Sequence, residues 1–175
     1  MPEITMADKI GRTQFLGREF LTWLLFCAYS DQSVKVGDQV IGVAFERSVT
    51  LDGENPAREM SAIKVDEPTQ SSEVMLSLKL GKKVSKARLM LTVDGREFKT
   101  GIESSTLAMK SLKLPDVKGG DFADIFEERM DLTDLVEQAV WDLFTHFVRI
   151  RIDQEEWSRE AERISRWIES EDIFG

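Results

Sequence analysis

VMLSLKLGKKVSKARLMLTVDGREF, residues 74–98, holds in order the end of a helix, a stop, a basic strand, a tight turn and the start of a returning strand. Thr69 to Leu80 has helical spacing, and Gly81 stands where a C′ glycine ends a helix. Lys79, Lys82 and Lys83 gather around that C-terminus, where the helix dipole favours cations. Val84 to Val93 reads as a strand, Asp94-Gly95 as a two-residue hairpin turn, and Arg96 to Glu103 as the return. That turn fixes a register: Val93 faces Arg96, Leu91 faces Phe98 and Ala87 faces Ile102, with Leu89 on the same buried face. Lys86, Arg88, Met90 and Lys99, together with Glu97 and Glu103, fall on the opposite face.

Upstream, Phe15 to Tyr29 reads as the first helix, with Phe15, Leu16, Phe20, Trp23, Leu24 and Cys27 at helical spacings. Leu21, Leu25 and Phe26 spread apolar surface around most of it, so it is covered on more than one side, as a central core helix or by a partner. Val34 to Val36 and Val40 to Leu51 read as strands around the turn Gly37-Asp38. Arg58 to Val65 reads as another strand, with Met60, Ala62 and Lys64 on one face and Ile63 and Val65 on the other. Downstream, the strand-like run continues to Leu114, ahead of Pro115 and Gly119-Gly120. Asp121 to Met130 reads as a short helix, and Asp131 with Asp134 as the cap of a longer one to about Arg151. Leu132, Leu135, Val136, Ala139, Val140, Leu143, Phe147 and Ile150 form its core stripe, with Trp141 and Val148 roughly opposite. Asp153 and Glu156 repeat the capping pattern before a last helix carrying Trp157, Ala161, Ile164 and Ile168 on one face. The fold class predicted is α+β: an antiparallel sheet with an N-terminal helix and a C-terminal helical region.

The 175 residues suit one domain, with a mixed part over 1–120 and an acidic helical part over 121–175. The net charge of −9 is unevenly placed: residues 1–120 carry 17 bases and 16 acids, residues 121–175 only 6 bases against 16 acids. Such polarity orients a protein near a polyanion and also aids solubility. The single Cys27 excludes an internal disulfide and sits among apolar neighbours as a buried thiol. The start MPEITMADKI lacks a basic region followed by an apolar core, and Phe20 to Ala28 is far shorter than a membrane span, so a cytoplasmic protein without membrane contact is expected.

Catalytic signatures are thin. His146 is the only histidine and lies at the edge of the apolar stripe. One His and one Cys leave the usual zinc ligand sets incomplete, and no nucleophile elbow is present. The acid pairs Glu127-Glu128 and Glu155-Glu156 read as solvated helix faces. Gly81-Lys82 lacks the earlier glycine of a Walker loop, because Leu76 occupies that position. No catalytic residue, metal or cofactor is therefore assigned. What remains is the basic cluster Lys79, Lys82, Lys83, Lys86 and Arg88, joined by Lys99, which suits sequence-independent phosphate contacts. The competing reading pairs Lys86 with Glu103 and leaves the others to cap a helix.

FLTWLLF (Phe20–Phe26), GKKVSKARLML (Gly81–Leu91) and DLTDLVEQAV (Asp131–Val140) together resemble the C-terminal half of the recombination-associated RdgC family of bacterial DNA-binding proteins. Gly81, Lys82, Val84, Ser85, Lys86 and Leu89 carry the most recognisable pattern. The resemblance implies a non-enzymatic, nucleoid-associated protein that binds DNA without sequence preference as a ring-like dimer, and restrains a RecA-type recombinase by occupying DNA. It also implies Lys82, Lys86 and Lys64 as DNA-contacting positions. The alternative is an interaction module without DNA binding, in which the helices around Trp23, Phe26, Trp141 and Val148 build a homodimer.

Overall fold

The structure, a computed structural model, describes residues 6–53 and 60–170, with side chains in the first helix from Leu16 onward. Residues 1–5, part of the segment read for a targeting signal, and Arg58 and Glu59, at the expected start of the third strand, lie outside the described residues. In chain order the elements are α1 (Met6–Ser30), β1 (Ser33–Val36), β2 (Gln39–Asp52), β3 (Met60–Lys64), a 3-10 turn (Pro68–Gln70), α2 (Ser72–Lys79), β4 (Lys83–Val93), β5 (Arg96–Glu103), β6 (Met109–Lys113), α3 (Phe122–Ile152) and α4 (Gln154–Ser170). The fold is α+β: a six-stranded antiparallel sheet with an N-terminal helix and a C-terminal helical region.

The sheet runs β1-β2-β4-β5-β6, and β3 also pairs with β2. At 14 residues β2 is long enough to take β1 at one end and β3 at the other along a single edge, because β4 occupies the opposite edge. The β4–β5 hairpin has the register its turn demands, with Leu91 opposite Phe98 and Ala87 opposite Ile102. Asp94 and Gly95 both have positive φ, 51° and 74°, which matches the right-handed strand twist. Gly81, at φ 83°, ends α2 with a paired lock: its N–H bonds the Leu78 carbonyl and the Lys82 N–H bonds that of Ser77.

One face of the sheet is covered. Ile41, Leu51, Leu89, Leu91 and Phe98 are fully buried there. α1 packs across β2 and β4, and the Thr22 hydroxyl accepts from the Val84 N–H at 2.9 Å, tying helix to strand. The far side of α1 meets the C-terminal helices through ring contacts: Trp23 with Phe147 at 5.5 Å, Phe20 with Phe144 at 5.3 Å, Phe26 with Trp167 at 5.5 Å. The two-sided apolar surface of α1 is thus satisfied within the chain. Glu19 adds a polar tie, reaching Arg151 at 2.7 Å and Lys83 at 3.4 Å.

Four boundaries differ from the sequence reading. α1 starts at Met6, before any apolar periodicity. α2 starts at Ser72, because Pro68 opens a 3-10 turn and Ser71 takes the N-cap, accepting from the Val74 N–H. Ser104–Thr106 form a turn, so the run to Leu114 is a separate strand, β6. α3 is continuous, since nothing between Met130 and Asp131 stops a helix. Its cap is Asp121, which accepts from the Asp124 N–H at 3.0 Å. The Asp153 cap does form, accepting from the N–H groups of Glu155 and Glu156. No helix among the described residues is long and apolar enough to cross a membrane.

Candidate nucleic-acid interface

Alternation along β4 and β5 sends every second side chain away from the helices. No helix covers that second face, and its residues are exposed or half-buried. Two carboxylates organise its cations. Glu46 on β2 binds Lys99 at 2.8 Å and Arg88 at 3.4 Å, bridging three strands. Glu103 on β5 binds Lys110 at 2.7 Å and Lys86 at 3.7 Å. Each carboxyl is held below the usual carboxylate range, Glu46 first by the Lys99 hydrogen bond and Glu103 first by the Lys110 hydrogen bond. One carboxylate against two cations leaves each clamp with a surplus positive charge. The clamps lie about two residues apart along the strands, or about 7 Å. A groove of about 260 Å³ opens beside the second, lined by Ser48, Thr50, Lys86, Arg88, Gly101 and Lys110.

Lys110 and Lys113 are functional candidates that the sequence reading missed. Cross-strand partners share a face, and the register pairs Lys110 with Gly101 and Lys113 with Lys99. Strict alternation would put residues 110 and 113 on opposite faces. A register shift intervenes, with Ser111 at φ 53°, and brings both lysines to the open side. The signal in the sequence was only the pair of lysines three apart around Ser111-Leu112, which a straight strand reading assigns to opposite faces.

The basic cluster read from the sequence is split by the sheet. Lys86, Arg88 and Lys99 stand on the open face, and Lys64 is exposed at the end of β3 opposite Ser48. Lys82 and Lys83 belong to the helix side: Lys82 bonds the Ser61 hydroxyl at 2.7 Å, Lys83 pairs with Glu19, and both line a small cleft with Trp23 and Trp157. Lys79 is exposed on the last turn of α2. The reason is the strand itself: Lys83 opens β4 beside Glu19 of α1, and past the register shift that follows, alternation sends Lys86 and Arg88 to the open face. The pairing of Lys86 with Glu103, read as the competing explanation, is present.

The expected interface residues separate in the same way. Trp23 and Phe26 are 2% and 4% exposed, so they are core residues of this chain, covered by its own α3 and α4. Val148 is half-buried against the core, and only Trp141 stands out, at 60% exposure. His146 is half-buried 6.1 Å from the Trp23 ring, and burial, then Arg149, holds its pKa below the ordinary value. Burial pushes the Cys27 thiol up, which keeps it protonated and inert. Among the described residues, no group of three or more His, Cys, Asp or Glu is placed to hold a metal ion. Neither a protein-family model nor a curated protein matches the chain.

Proposed function

We propose that this protein is a non-enzymatic nucleic-acid-binding protein that grips the phosphate backbone with the open face of its sheet. The observation that carries this reading is the pair of clamps, Lys99–Glu46–Arg88 and Lys110–Glu103–Lys86, on a face that no helix covers. Each carboxylate ties its two cations at one place on the face, and the surplus charge of each clamp meets one phosphate. Lysine contacts of this kind fix position without reading bases. The overall charge of −9 repels nucleic acid elsewhere on the surface and so favours approach by this face. The resemblance to the RdgC family supports the same reading, with DNA as the ligand and occlusion of a RecA-type recombinase as the consequence.

Fluorescence anisotropy of labelled single- and double-stranded DNA across a salt series tests the proposal. One phosphate per clamp, with one each at Lys64 and Lys113, makes about four, and log affinity then falls with log salt at a slope of roughly −3 to −4. Lys86→Glu with Lys110→Glu should abolish binding, whereas Lys82→Glu, on the helix side, should leave most of it. Absence of binding at low salt, or equal losses in the two variants, would sink the assignment to this face.

A further inference from the structure

The first ten residues of α3 project from the body of the protein. Of residues 122–131 only Ile125 is partly covered, and Phe122, Phe126 and Met130 are 85%, 58% and 49% exposed. Their spacing of four places them on one stripe, with the rings of Phe122 and Phe126 stacked at 6.5 Å. Spacings of three, four and four carry that stripe through Thr133 and Glu137 to the exposed Trp141. A helical arm about 15 Å long thus offers aromatic surface to solvent, where such side chains are costly unless something meets them. Its flanks are acidic: Asp121, Asp124, Glu127, Glu128, Asp131 and Asp134 surround a single base, Arg129.

Charge decides the occupant. Two arms laid against each other would set carboxylate against carboxylate along their length, a juxtaposition that costs several kcal/mol. The complementary surface is the open sheet face, where cations outnumber carboxylates. Beyond the clamps the even positions of β2 and β4 are uncharged, and Gly42, Ala44, Met90 and Thr92 line part of a hollow of about 420 Å³ that they share with Ala28 of α1 and with Glu67, Thr69 and Gln70 at the 3-10 turn. Val40, 57% exposed, stands on the same side of β2. Within one copy the clamp cations pair with Glu46 and Glu103 rather than with the arm. α3 meets the covered side of the sheet, with α1 between it and much of β4.

We infer that the acidic aromatic arm of α3 docks on the open sheet face of a second copy of this chain, Phe122 and Phe126 entering the hollow and the flanking carboxylates meeting the clamp cations. The contact is heterologous, arm to face, so each copy offers one of each and the association propagates head to tail. It is sensitive to salt because the charges lie at an exposed rim.

Sedimentation velocity over a concentration series tests this with two variants, each checked for native circular dichroism. Phe122→Ser with Phe126→Ser removes the arm's aromatics, and Lys86→Glu with Lys110→Glu reverses the face. The unaltered chain should self-associate at low salt and dissociate as salt rises, and each variant alone should weaken association at least about tenfold. Mixed together, the two variants should form a one-to-one pair and stop there, because only one intact arm and one intact face remain. A monomeric unaltered chain, a variant that associates undiminished, or a mixture that stays monomeric would each overturn the inference.

Discussion

The two faces of the β4–β5 hairpin share a backbone and divide the work. Leu89, Leu91 and Phe98 on one side are fully buried against α1, whereas Arg88 and Lys99, their immediate neighbours, pair with Glu46 on the open side. The first face contributes stability through apolar area removed from water. The second contributes little, since exposed ion pairs are worth about 0–1 kcal/mol each. Its carboxylates instead keep the cations ordered. Stability and binding are therefore separable on this hairpin, residue by residue.

The sharpest way to break that separation is Phe98→Ala, which empties a fully buried ring site and should cost about 3–5 kcal/mol in chemical denaturation, abolishing binding only through unfolding. Gly17→Ala comes next. A Cβ there would lie 1.9 Å from the Ser104 carbonyl oxygen, so α1 must lift from the sheet at a cost of about 2–3 kcal/mol. A melting-temperature drop in this variant with no change in DNA affinity at low temperature would support the separation.

A pH titration sharpens the comparison from the covered side. His146 has its folded pKa lowered from 6.5, so below about 6.5 the unfolded chain binds more protons than the folded one. Stability should fall as pH drops through that window and level off below the folded value, and His146→Gln should flatten the curve. Smallest of all should be the stability effect of Lys86→Glu with Lys110→Glu, within about 1 kcal/mol of the parent although binding is lost. A large destabilisation there would mean that the clamps hold the fold and not the ligand.

The hairpin was readable in advance because Asp94-Gly95 fixes its turn, and the turn fixes every pairing behind it. The α2 stop was equally plain, since Gly81 can adopt the left-handed backbone that the lock requires. The break expected at Asp131 was not real: an aspartate caps a helix only where the backbone arrives extended, and there the helix simply continues. The candidate site was half legible. Lys86, Arg88 and Lys99 followed from alternation, but adjacency in sequence joined them to Lys82 and Lys83, which the sheet places on its other side. Lys110 and Lys113 depended on a register shift, and nothing local in the sequence announces one. Trp23 and Phe26 looked available only because α4, which carries the buried Trp167, supplies a cover that a period count on α1 cannot see.

The shift at Ser111 also bears on how the sheets of separate copies are kept from pairing edge to edge. β6 is the last strand on its side of the sheet, and a free edge is a template on which further strands stack. Here the edge strand is only five residues long, irregular at its middle, and armed with two lysines on one side. An incoming strand would meet a broken ladder and two lysine side chains. Straightening β6 by deleting Ser111 should therefore expose an aggregation-prone border at this edge of the sheet.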